Sequence, residues 1–119
     1  MGLDQYAYAS KAAPSDVMYE NCEKIYYWRK NPNLHGWLEN LWRQRTQDAD
    51  SMFNNIYMEL TGEDIDNLEN AVCDDTLPET TGFFFGKSDE FHKQENLEFI
   101  DIAREVLQEG LRVYYYSSW

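Results

Sequence analysis

The sequence predicts an α+β fold. One compact domain spans residues 1–119, with a mixed or antiparallel sheet of four to five strands and about three helices. Three observations lead there. The first stretch alternates its residues with period two, and the aromatic last stretch also reads as a strand. Three internal stretches carry apolar residues at helical spacing. A chain of 119 residues can bury one core and not two.

"GLDQYAYAS" (2–10) sets Leu3, Gln5 and Ala7 against Asp4, Tyr6 and Tyr8, the pattern of a strand. "KAAPSDVMYENCEK" (11–24) opens on a Pro-Ser-Asp turn signal and reads as a loop or short helix. "KIYYWRK" (24–30) is aromatic and β-branched, which suits a second strand, and Asn31-Pro32-Asn33 stops it. Leu34, Trp37, Leu38, Leu41 and Trp42 then fall at i, i+3, i+4, i+7 and i+8, one face of a helix with Asn33 as its expected N-cap. Gly36 weakens the first turn but lets a backbone or ligand approach closely.

"FNNIYMEL" (53–60) reads as a strand with Ile56, Met58 and Leu60 on one face. Thr61 and Asp64 make an approximate capping box for a helix whose stripe is Ile65, Leu68 and Val72, ending near Cys73. "DDTLPETTG" reads as a loop, "GFFFGK" (82–87) as a short buried strand and "SDEFHKQ" (88–94) as a loop. A last helix is expected from Asn96 to Glu109, capped by Gly110, before "RVYYYSSW" closes the chain as a strand.

Charge narrows function. The net charge of −12 disfavours direct nucleic-acid binding and anionic membranes, which both need a basic field. No apolar run approaches the length of a membrane span, and the N-terminus lacks the pattern of a secretory signal. Cys22 and Cys73 stand apart from each other and from both histidines, so free thiols in a reducing cytosol are expected and no metal site is. Charge is also uneven. Lys24, Arg29, Lys30, Arg43 and Arg45 meet one acid, Glu39, between residues 24 and 45, whereas residues 46–86 hold ten acids and no base. A two-sided molecule follows unless the fold interleaves these segments.

Known catalytic patterns are absent. There is no GxSxG. "GFFFGKS" has only three residues between its glycines where a phosphate loop has four, and they are bulky phenylalanines. "GEDID" does not match a calcium loop, and its acids suit a helix N-terminus. Aromatic residues make up 16% of the chain, enough to form binding walls as well as a core. The mixture in the basic segment suits a nucleotide-like ligand: rings stack on bases, and Arg or Lys meets phosphate. Trp37 and Trp42 belong to the helical stripe and read as core, and Glu39 and Arg43 are spaced to pair.

Four blocks resemble a group of small proteins found largely in bacteriophages: "MGLDQY" (1–6), "YWRKNPNLHGW" (27–37), "LPETTGFFFG" (77–86) and "YYYSSW" (114–119). The group opens "MGLDMY" and carries YWRK-x-N-x-(I/L)-H-x-W, LP-x-T-x-GFFFG and a C-terminal SSW. This chain departs from it at Gln5 and after Gly86. Members are sometimes labelled phosphoglycerate kinase, which does not fit a chain this short with no phosphate loop. The resemblance implies a phage origin and no particular activity. By analogy with phage counter-defence proteins, the expected function is non-enzymatic: sequestering a small anionic nucleotide-like molecule, such as a host immune signal, in the host cytoplasm. The expected ligand-binding residues are Tyr27, Trp28, Arg29, Lys30, His35, Phe84, Ser118 and Trp119, with no catalytic residue, cofactor or metal. Two alternatives stand beside it. One is an acidic interaction protein or nucleic-acid mimic that blocks a host protein through residues 46–86. The other is a small nucleotide-processing enzyme using His35. Aromatic ends and strand edges also suggest a homo-oligomer.

Overall fold

The computed structural model describes residues 2–48, 50–80 and 90–119. Four strands, β1 (Asp4–Ser10), β2 (Glu23–Arg29), β3 (Met58–Leu60) and β4 (Arg112–Ser118), form one sheet in the order β2-β1-β4-β3. Every neighbouring pair is antiparallel. Three helices, α1 (Pro32–Thr46), α2 (Gly62–Cys73) and α3 (Glu90–Gln108), complete the single α+β domain. The expected strand "GFFFGK" and Phe84 within it lie outside the described residues.

The period-two alternation gives the sheet an inner and an outer face. Gln5, Ala7 and Ala9 stand opposite Ser117, Tyr115 and Val113, with Trp28 across from Gln5, and all are buried. Ala7 and Ala9 are small, which leaves room for helices to approach. Leu34 and Leu38 of α1, Ile65 and Leu68 of α2, and Phe99, Ile100 and Ala103 of α3 join them in one core.

α1 begins two residues earlier than the sequence reading placed it. Asn31, and not Asn33, is the N-cap; its side chain accepts from the Leu34 amide, and Pro32 takes the first helical position. A proline there has no amide to leave unsatisfied, so the residue read as a strand stop is also a helix start. Thr61 and Asp64 form the expected capping box of α2. At the end of α3, Gly110 adopts a φ of 84°, with Gly110 bonding to Leu107 and Leu111 to Val106, a six-to-one and five-to-two closure.

Two expectations are corrected. Residues 90–94, read as loop, are the first turns of α3, because the inward positions there are His92 and Asn96 and the stripe continues with polar residues. Residues 53–57, read as strand, are irregular: Asn55 turns the chain at a φ of 60°, and Phe53 plugs the core instead. No helix among the described residues is long and apolar enough to cross a membrane.

The fold interleaves the charged segments. Arg45 pairs with Asp64, Arg104 with Asp66 and Glu69, Lys93 with Asp75, and Arg112 with Glu59. Cations from three other elements therefore reach the acidic stretch. Glu39 and Arg43 pair along α1 as their spacing implies.

Candidate functional site: a tyrosine-lined groove on the outer sheet face

The sheet divides the residues singled out by sequence. Trp28 points inward and is 1% exposed, its ring 4.8 Å from that of Phe99, so it presents no face to solvent. His35 is also fully buried. Its Nδ1 lies 2.8 Å from the Tyr115 hydroxyl, and Gln5 Nε2 donates to that same oxygen at 3.1 Å. The Tyr115 hydroxyl thus joins Gln5 and His35 in one hydrogen-bonded chain. Burial pushes the His35 pKa down to about 4, so the ring is neutral at pH 7. Trp119 lies beside it, with ring centroids 6.2 Å apart, its indole N–H donating to the Phe53 carbonyl.

These contacts belong to a polar network under the start of α1. Gln5 bonds both backbone groups of Asn31, and Asn31 Nδ2 donates to Asn96 Oδ1 at 2.8 Å. Thr80 donates its amide to Asn33 and packs so tightly on Gly36 that an added Cβ would sit 1.9 Å from Thr80 Oγ1. The close approach expected at Gly36 is thus made by the chain itself. Residues of all four sequence blocks meet here: Gln5 from the first, Asn31 to Gly36 from the second, Thr80 from the third, Tyr115 and Trp119 from the last. The network borders a hollow of about 160 Å³ lined in part by Asn31, Asn33, His92 and Asn96. Its tight internal bonding is what a structural keystone requires.

Tyr27, Arg29 and Ser118 lie on the opposite, outer face. Arg29 is half exposed and bonds Asp4 at 2.8 Å, and Tyr27 donates to the same Asp4 oxygen. Lys30 follows β2, exposed, with a φ of 55°.

That outer face carries a feature the sequence reading missed. Tyr6 and Tyr8 of β1, Tyr27 of β2, Tyr116 of β4 and Tyr57 just before β3 form one continuous cluster of rings. Centroid separations run from 4.5 Å for Tyr57 and Tyr116, through 5.2 Å for Tyr6 and Tyr27, to 6.4 Å for Tyr6 and Tyr116. Segment 11–22 covers one end, where the Tyr114 hydroxyl donates to the Ala12 carbonyl at 2.6 Å. Between that segment and the rings runs a groove of about 830 Å³, lined by tyrosines together with Glu20, Cys22, Lys24 and Ser118. Its size suits a small-molecule site, whereas the 160 Å³ hollow does not. The signal in the sequence was the placement of Tyr6, Tyr8 and Tyr116 on the polar phase of alternating strands. Aromatic residues on both phases mean that both faces of the sheet are aromatic.

Burial shapes the groove's titratable groups. Burial raises the Tyr8 and Tyr57 hydroxyls to about 12 and raises the Cys22 thiol. All three stay protonated at neutral pH. They donate and accept hydrogen bonds but are poor bases and nucleophiles. Among the described residues no group of three or more His, Cys, Asp or Glu side chains is placed to hold a metal ion. The chain matches no protein-family model, no curated protein and no solved structure.

Proposed function

We propose that this protein is a binding module without catalytic activity, whose outer sheet face takes up a small, planar, nucleotide-like molecule. One observation carries the reading: four contiguous tyrosine rings, Tyr6, Tyr8, Tyr57 and Tyr116, floor an open groove of about 830 Å³, beside Lys24 and with Arg29 on the same sheet face. Every heteroaromatic base has a π-face, and stacking on such rings contributes about 1–3 kcal/mol per base. The protonated phenols and thiol favour holding a ligand over transforming it. The resemblance of the four sequence blocks to phage proteins suggests the biological use: sequestration of a host nucleotide signal in the host cytoplasm as counter-defence.

Calorimetry of the folded protein against nucleosides, nucleoside monophosphates, cyclic dinucleotides and adenosine-diphosphate-ribose derivatives tests this. Binding weakened in Tyr57→Ala and Tyr116→Ala is expected, and chromatography should recover the ligand unchanged. Absence of heat with every ligand, or recovery of a cleaved product, refutes it.

A further inference from the structure

The groove's charges restrict which ring it can hold. Its walls carry one cation, Lys24, and one carboxylate, Glu20. On the same sheet face Arg29 is tied to Asp4 at 2.8 Å. These charges cancel. Charges farther away are screened over about 8 Å at physiological salt. The chain as a whole, at −12, repels a polyanion. A string of phosphates therefore finds no field to reward it.

Glu20 adds a second restriction. It is exposed in the short turn Tyr19–Asn21 and lines the groove together with Tyr57 and Cys22. An ionised carboxylate only accepts hydrogen bonds, so it pairs with a ring edge that presents N–H donors. Two adjacent N–H groups on one edge, as in guanine, match its two oxygens. Lys24 lies 5.9 Å from the centroid of the Tyr27 ring, where it can meet one phosphate or a ring carbonyl.

Resting on the reading of the groove as a site for planar rings, we infer that it selects a ring with an N–H donor edge and at most one phosphate. The ligand class is a guanine-type nucleoside or its monophosphate, in preference to nucleoside polyphosphates and to adenine rings.

The test is calorimetric titration of the full chain with guanosine, guanosine monophosphate, guanosine triphosphate and adenosine, at low and high salt. Guanosine and its monophosphate should bind alike. The triphosphate should bind about tenfold weaker at low salt, with the gap closing as salt screens the repulsion. In Glu20→Gln, guanosine should lose about tenfold in affinity while adenosine changes little. Urea denaturation of the variant checks its fold, and Glu20 is exposed enough to be replaced without disturbing the core. A triphosphate that binds as tightly as the monophosphate overturns the charge limit. Equal weakening of guanosine and adenosine in Glu20→Gln overturns the edge selection. If adenosine and guanosine both bind with no preference, the groove remains a ring site and only this selection fails. If none of the four ligands binds the folded protein, the selection fails together with the groove reading beneath it.

Discussion

The two faces of one sheet use aromatic side chains for different ends. On the inner face Trp28 and Tyr115 are almost completely buried, and Tyr115 is anchored by Gln5 and His35. On the outer face Tyr6, Tyr57 and Tyr116 touch each other yet keep surface open to a groove. The same residue type, a few ångströms apart along one strand, is core on one side and floor on the other. Neighbours decide this: among the described residues, three helices cover the inner face, while one short segment covers an end of the outer face. Inner substitutions should cost stability, and outer ones should cost affinity.

Trp28→Ala should break the inner face most. Emptying a fully buried indole site typically costs about 3–5 kcal/mol, readable as a lower urea midpoint. A change within the error of the midpoint would mean that Trp28 is not core.

His35 gives the inner face a pH signature. Its folded pKa of about 4 lies below the ordinary 6.5, so the unfolded chain binds the proton more readily. This contribution is complete above pH 6.5 and shrinks as pH falls toward 4. The loss amounts to about 3 kcal/mol at about 1.4 kcal/mol per pKa unit. The stability of His35→Gln should fall less between those values. Parallel profiles for the two proteins would show that His35 titrates normally.

Gly36→Ala is next. The new Cβ collides with Thr80, and overpacking of this kind costs about 1–3 kcal/mol. Adding Thr80→Gly removes the colliding atoms and should recover part of the loss. No recovery would place the strain elsewhere.

The smallest stability effects belong to the outer face. Tyr116→Phe removes an exposed hydrogen bond to Asn55, about 0.5–1 kcal/mol at most, and keeps the ring. Its affinity for a stacked ligand should stay close to that of the unaltered protein, whereas Tyr116→Ala should weaken binding about tenfold. If both variants lost affinity equally, the hydroxyl and not the ring would be the contact.

Much of the fold is legible in the chain because its signals are local. Thr61 and Asp64 cap α2 within four residues of each other, and Gly110 closes α3 with bonds to its own last turn. The Leu34–Trp42 stripe specifies its helix by spacing alone. The early start of α3 escaped because His92 and Asn96 are polar residues in buried places, and the hydrogen-bond partner of Asn96, Asn31, is 65 positions away in the sequence. The candidate site escaped for a related reason. Its tyrosines come from β1, the turn at Tyr19, β4 and the approach to β3, and no window of sequence contains them together.

By itself the sequence determined the α+β class, the caps of α2 and α3, the helical stripes and the alternation of β1, since each depends on neighbours a few residues apart. Only the tertiary structure decided that Trp28 and His35 face the core while Tyr27, Arg29 and Ser118 face outward. Adjacent strand residues point to opposite sides, and which side is buried depends on where distant helices pack.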